Sequence, residues 1–224
     1  MAFQGFDTVV TGSMATGSTR YWAVAVAAGH VVVDTAQTHL PLRHSHHRYA
    51  IDGPNGVQQL TIPLVAESHT IGTAMRDVRI SEHGNWRRLH WGALYSAYGR
   101  TPYFDYVAPD LEPIIHGGQH FLLDFNQAMQ ALIADFMMLP VKFTHEDYTP
   151  RDGVLDLRRT LDAKRADDLP IDDLPYYQAW QARHPFLPAL SVLDLLMNEG
   201  STAIVTLTKM CRQDANNSTE GKKK

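Results

Sequence analysis

The segment from Asn85 to Tyr98 holds the densest set of residues that could do chemistry. Arg87, Trp91 and Tyr95 stand at i, i+4 and i+8, and Tyr98 follows three later, so on a helix they form one stripe. Trp86, Leu89, Ala93 and Ala97 would take the core, which leaves Arg87, His90 and Trp91 on the margin where a cleft is lined. A guanidinium offers a planar fork to carboxylate or phosphate, an indole supports a sugar or base face, and an imidazole moves protons near neutral pH. The same spacing also describes a half-buried amphipathic helix whose aromatics simply pack.

A second group runs from Asp34 to Arg48. Asp34 closes the apolar run Val31-Val32-Val33, and His39, Arg43, His44, His46, His47 and Arg48 follow. If that run is a strand of a parallel sheet, Asp34 sits at the carboxyl end, where ligands gather. The group would then be a cationic rim for a phosphorylated sugar, with Asp34 as base or metal ligand. His44-x-His46 puts two imidazoles on one strand face, but the spacing supplies no third ligand, so no metal is assigned. A solvated, histidine-rich loop explains the same residues.

Three further features are weaker. Gly12-Ser13-Met14-Ala15-Thr16-Gly17-Ser18-Thr19 has the place of a phosphate loop between strand and helix, but Ser18 stands where a P-loop has its lysine. Nucleotide hydrolysis of that kind is therefore not expected, and a plain connection is the better account. Ser191-x-x-Asp194 reads as a capping box. Cys211, the single cysteine, lies beside Lys209 and Arg212 without a histidine partner, which argues against thiol catalysis and excludes an intrachain disulfide.

The elements that must position these groups begin with a β-α-β unit. Thr8–Thr11 is a short β-branched strand, Ser18 or Thr19 caps a helix ending at Gly29, and Val31–Asp34 returns as a second strand. Arg48–Ile51 and Gln58–Leu64 are strand-like arms around the turn formers Asp52 to Gly56. Asp77–Ile80 is a short strand, Asn85–Tyr98 and Leu122–Met138 are helices, and Val141–Thr144 is a strand. Residues 145–175 read as a long surface connection. Ser191 starts a helix, and Ala203–Leu207 is a last buried strand. The expected fold is α/β, with a mixed, mainly parallel sheet, flanking helices and a β-α-β start.

At 224 residues the chain suits one domain over 1–212, with a polar, Lys-rich tail at 213–224 expected to be disordered. A net charge of −4 argues against non-specific nucleic-acid binding. No run reaches the ~20 apolar residues of a membrane span, and the N-terminus lacks a secretory pattern, so a cytoplasmic location is expected.

Several stretches resemble the WbqC-like protein family. The sharpest is Asn85-Trp86-Arg87-x-x-His90-Trp91, continuing through Tyr95 to Thr101-Pro102-Tyr103-Phe104. Phe121–Asn126, Tyr176–Pro188 and Leu190–Gly200 add to it, and the likeness covers roughly residues 20–207. Where relatives carry an Arg-Asn-Arg triplet, this chain has His46-His47-Arg48, which points to a changed or lost substrate. The resemblance implies a role in bacterial surface-polysaccharide (O-antigen-type) synthesis. The implied activity is a transferase adding an aminoacyl or glycyl group to an amino sugar. Arg48 and Arg87 would then hold phosphate or carboxylate, with Trp91 and Tyr98 also binding substrate, and His90 or His39, with Asp34, would handle the proton. No cofactor is required; ATP or a nucleotide-sugar would enter as substrate. The alternatives are a non-catalytic nucleotide-sugar or carbohydrate-binding protein of the same pathway, and a metal-dependent hydrolase.

Overall fold

The computed structural model describes residues 3–38, 46–68, 70, 72–161 and 169–211. His39, Arg43, His44 and the expected tail at 213–224 lie outside these residues.

Strand β1 (Thr8–Thr11), helix α1 (Thr19–Ala28) and strand β2 (His30–Asp34) form the anticipated unit, with β1 and β2 parallel and Val9 opposite Val31. The ends of α1 are set by local chemistry. Ser18 Oγ accepts from the Tyr21 N–H at 3.2 Å, and Gly29 closes the helix in the left-handed region, at φ 82°. Nearly all of α1 is buried, as expected of a crossover helix pressed between a sheet and further helices.

The parallel sheet is completed from the second half of the chain. Strand β5 (Lys142–Glu146) pairs with β2, and β6 (Val154–Asp156) pairs with the far side of β1, both parallel, giving the order β5-β2-β1-β6. The β6 strand corrects the expectation that 145–175 is surface connection throughout. Its three residues are too few to show a period, yet they create the point beside β1 where the winding of the sheet reverses.

Between β2 and β5 the chain makes an antiparallel hairpin, β3 (Arg48–Gly53) and β4 (Gly56–Thr61), and three helices: α2 (Trp86–Tyr98), α3 (Phe104–His116) and α4 (Leu122–Phe136). The expected strand at Asp77–Ile80 is instead the end of a 3-10 turn, Met75–Asp77, followed by single bridges of Arg79 to Phe121 and Ile80 to Leu64. After β6 come α5 (Val192–Glu199) and α6 (Ala203–Met210). The latter overturns the strand expected at Ala203–Leu207. Ala203, Leu207 and Met210 are its buried residues, a helical period, and it packs on α1. Buried side chains from β1, β2, the hairpin and all six helices form one hydrophobic cluster. Among the described residues no helix is long and apolar enough to cross a membrane.

Candidate functional site

The carboxyl ends of β2 and β6, on either side of β1, open into a polar cavity of about 340 Å³. Asp34, the last residue of β2, is almost fully buried there. Its Oδ1 accepts from the N–H groups of Ala36 (3.0 Å) and Tyr148 (3.2 Å), and its Oδ2 accepts from Arg158 Nη1 at 2.6 Å. Arg158, just after β6, also donates from Nε and Nη2 to Asp156, and its guanidinium lies 5.2 Å from the Tyr148 ring centroid. The bonds to Asp156, against partial burial and with help from Asp34, raise the Arg158 pKa further above its usual range. Against its own desolvation, Asp156 is held below the usual carboxylate range by Arg158. Three N–H donors occupy the Asp34 carboxylate, and through one of them it fixes Arg158. The exposed Arg159 lines the same cavity, together with Gln37. Gln37 reaches the start of the loop after β1: a Cβ on Gly12 would stand 2.2 Å from Gln37 Oε1 and 2.7 Å from His46 Cε1. The chain therefore closes on itself at Gly12 at a distance only glycine permits.

A second cavity, of about 250 Å³ and mainly apolar, lies against the same loop, with Met14, Thr16, Gly17 and Ser18 in its wall. Two of the loop's carbonyls, and the amide that follows it, are already bonded. Thr19 N–H donates to Leu190 O, Val192 N–H to Gly17 O, and the Trp22 indole to Thr16 O at 2.8 Å. Ser18 serves as the cap. Loop 12–18 thus ties the start of α1 to the start of α5. Arg48, at the start of β3, lines this second cavity, whereas Asp34 lines the first.

Arg87, His90, Trp91 and Tyr98 are not in the described lining of either cavity. His90 is 4 % exposed and bonded at both ring nitrogens: Nε2 donates to Thr61 O at 3.0 Å, and Nδ1 accepts from the Tyr49 hydroxyl at 3.1 Å. Burial pulls its pKa from 6.5 down to about 4, so it is neutral at pH 7. Arg87 bridges Glu82 at 2.6 Å, donates to Ile115 O and Gln119 O, and stacks over the Trp86 ring at 4.5 Å. Trp91 packs against Phe104 and His116. Tyr98 is fully buried, accepts from the Asp52 N–H, and has its pKa pushed up by burial and by Asp194. The segment 87–91 thus clamps α2 to the hairpin and to α3, and the structure does not bring it together with Asp34. His46 and His47 are buried rather than part of a rim, and His46 Nδ1 bonds Ser13 O. His39 lies outside the described residues, and among those residues no three His, Cys, Asp or Glu side chains gather as a ligand set.

A buried polar network was not visible in the sequence. Asp194, with no exposed surface, accepts from the Tyr176 hydroxyl (2.7 Å) and Gln178 Nε2 (3.2 Å), while Asp52, also wholly buried, pairs with His184 Nε2 at 3.0 Å. Burial raises Asp194 from 3.8 to about 6, and Asp52 in the same direction. The capping box expected of Asp194 does not form. Ser191 Oγ caps Leu193 N–H, and the Asp194 carboxylate turns inward. The Cys211 thiol donates to Ala23 O, and burial lifts its pKa to about 11, away from thiolate chemistry.

The sequence pattern of the WbqC-like protein family is matched by residues 21–167. The chain is also similar to uncharacterized protein Rv1507c of Mycobacterium tuberculosis (strain ATCC 25618 / H37Rv). The two are 26% identical over 197 residues, spanning 76% of this chain and 84% of that protein. No solved structure matches.

Proposed function

The chain belongs to the WbqC-like protein family, and from that premise we propose that it takes a phosphorylated sugar or nucleotide-sugar at the carboxyl edge of its parallel sheet, as a transferase of surface-polysaccharide synthesis. The observation that carries this reading is the polar cavity beside the reversal point between β1 and β6, with Arg159 at its wall and Arg158 locked by Asp34 and Asp156. Open parallel sheets bind ligands at that place, because the loops after adjacent strands diverge there and leave a crevice. Arg159 is exposed, so its guanidinium can close on two phosphate oxygens as a fork. Arg158 supplies a fixed positive centre whose geometry Asp34 and Asp156 hold before any ligand arrives.

A second reading, a binding protein without turnover, is favoured by one feature. The described residues of this cavity include no histidine, and Asp34 is already engaged by three donors. Calorimetric titration with UDP-N-acetylglucosamine, UDP and inorganic phosphate tests the shared premise. Binding of the sugar nucleotide that Arg159→Ala weakens roughly tenfold, with Arg159→Lys between, supports it. Equal affinity in wild type and Arg159→Ala, or no binding of these probes, sinks it. Product formation from a bound sugar nucleotide and an amine or acyl co-substrate separates transferase from binder.

A further inference from the structure

We propose that the outward faces of α2 and α3 form a docking surface for a second copy of this chain, in a two-fold dimer whose α2 helices cross and each reach the partner's α3. Neither helix contributes to the described lining of the two cavities, so the proposal does not rest on the function proposed above.

The surface is apolar where the outer side of a helix pair is ordinarily polar. Leu89, which its spacing assigns to the core, is 64% exposed; Tyr95 is 62% and Tyr106, on α3, is 71% exposed. Fixed rings back the two tyrosines. Tyr95 packs edge-on against Phe104 with 5.6 Å between ring centroids, and Tyr106 lies 6.4 Å from the Tyr103 ring. Side chains already held in this way lose little freedom on association, which suits them to be anchors.

Gly92 supplies a second observation. It stands exposed in the middle of α2, about one turn after Leu89 and one turn before Tyr95. A Cβ there would meet nothing within 4 Å among the described residues, so their packing does not call for glycine. Glycine inside a helix costs stability relative to alanine. What it permits is the close approach of another backbone. A two-fold axis near Gly92 makes the two α2 helices cross at that notch, with Leu89 and Tyr95 of each seated beside the partner's helix.

Charge decides the occupant. Helix α2 carries Arg87 and Arg88 and no acidic residue, with Arg100 just past its end; α3 carries Asp105, Asp110 and Glu112 and no lysine or arginine. Arg87 is engaged by Glu82, but Arg88, Arg100 and the three carboxylates of α3 are exposed. The surface thus has a basic half and an acidic half, and such a face complements itself when turned through a half-rotation. A partner carrying one sign of charge would match one half and be repelled by the other. Each helix has 13 residues and is about 20 Å long, so the contact belongs with the smaller interfaces and a micromolar Kd is expected.

Sedimentation equilibrium of the full chain from about 1 to about 200 µM tests the proposal. Dimerisation is expected within that range, weakened at least about threefold by raising the salt to about 0.5 M. Leu89→Ser combined with Tyr95→Ser should weaken it at least about tenfold. Gly92→Ala should weaken association while raising the melting temperature of the dilute, monomeric protein; a glycine serving only its own chain does not give that pair of opposite signs. Arg88→Glu with Arg100→Glu, and separately Asp110→Lys with Glu112→Lys, should each leave the chain monomeric. An equimolar mixture of these two variants should associate again, because each reversed helix then faces one of opposite charge. Pairing within one chain cannot be rescued by mixing. A wild-type chain that stays monomeric throughout, a dimer whose affinity ignores the Gly92 and Leu89/Tyr95 variants, or reversal variants that fail to associate on mixing overturns the proposal.

Discussion

Two buried titratable groups in this fold pull its acid stability in opposite directions, and separating them tests whether His90 is a structural residue. His90 has a folded pKa of about 4 against 6.5 when unfolded, because burial disfavours its charged form. Its contribution is therefore present above pH 6.5 and lost as pH falls toward 4, where the unfolded chain binds the proton more readily. Asp194 has a folded pKa of about 6 against 3.8, again through burial. Its contribution has the reverse sign: fully present below 3.8, and lost as pH rises through 6. Each separation exceeds two pH units, at about 1.36 kcal/mol per unit, so each amounts to roughly 3 kcal/mol and the two nearly cancel in the wild type. His90→Gln, which keeps a donor for Thr61 O, and Asp194→Asn unmask them. Urea unfolding followed by tryptophan fluorescence should show the wild-type advantage over His90→Gln shrinking by about 3 kcal/mol between pH 6.5 and 4. Its difference from Asp194→Asn should move by a similar amount in the wild type's favour. Because each variant is compared with wild type at the same pH, the other carboxylates drop out. If both differences stay flat across that interval, the assignment of a neutral His90 and a protonatable Asp194 is refuted.

Other perturbations have equally definite outcomes. Arg87→Met removes the donor from Ile115 O and Gln119 O and should lower the unfolding free energy by about 2 kcal/mol, while sugar-nucleotide affinity measured by calorimetry stays unchanged. Asp34→Asn sets an amide against Arg158 Nη1; it should cost about 2 kcal/mol in urea unfolding and weaken sugar-nucleotide binding by releasing the guanidinium from its place. Gly200→Ala would put a Cβ 2.3 Å from the Tyr103 ring at φ 56°, and a fall in stability of at least about 2 kcal/mol is expected.

Local signals in the chain carried the local structure. Ser18 and Gly29 bound α1 because a hydroxyl at one end and a left-handed glycine at the other are short-range requirements. Failure came where short-range preference and packing disagree. Ile204, Val205 and Thr206 are β-branched and favour a strand, but Ala203, Leu207 and Met210 meet α1 only if the segment is helical. Helix α3 was missed because Pro109 and Pro113 stand inside it, each removing a backbone donor. Its buried residues Phe104, Val107, Leu111 and Ile115 keep a helical stripe that holds it against its neighbours. The candidate site was half legible. Asp34 was found from its place at a strand end, but its partner Arg158 is 124 residues away in sequence. No spacing rule connects such a pair, and β6, which brings them together, is only three residues long.

The most recognisable stretch of the chain, Asn85 to Trp91, contains two polar side chains, Arg87 and His90, that are bonded to the protein itself. Arg87 satisfies two carbonyls in the 115–119 segment, and His90 satisfies one at the end of β4 and orients the Tyr49 hydroxyl. These bonds give Arg87 and His90 a structural role. Each closes a partly buried carbonyl, a bond to a charged donor being worth up to about 1.5–3 kcal/mol, and each does so across 28 to 32 residues of sequence, so any change is felt in the fold. On the function proposed above, a substrate would need a group with capacity left over, and the exposed Arg159 at the carboxyl edge of the sheet would offer one. His46 and His47, which stand where the family resemblance implies an Arg-Asn pair, likewise have partners within the protein. Both imidazoles are buried, and the His46 carbonyl accepts from Asn126 at 2.9 Å. On the function proposed above, a change at these positions would reach the ligand through the shape of the loop at Gly12, which lies close to His46. Exchanging His46-His47 for Arg-Asn should then shift sugar-nucleotide affinity together with thermal stability. A change in affinity at constant stability would instead place those two positions in direct contact with the ligand.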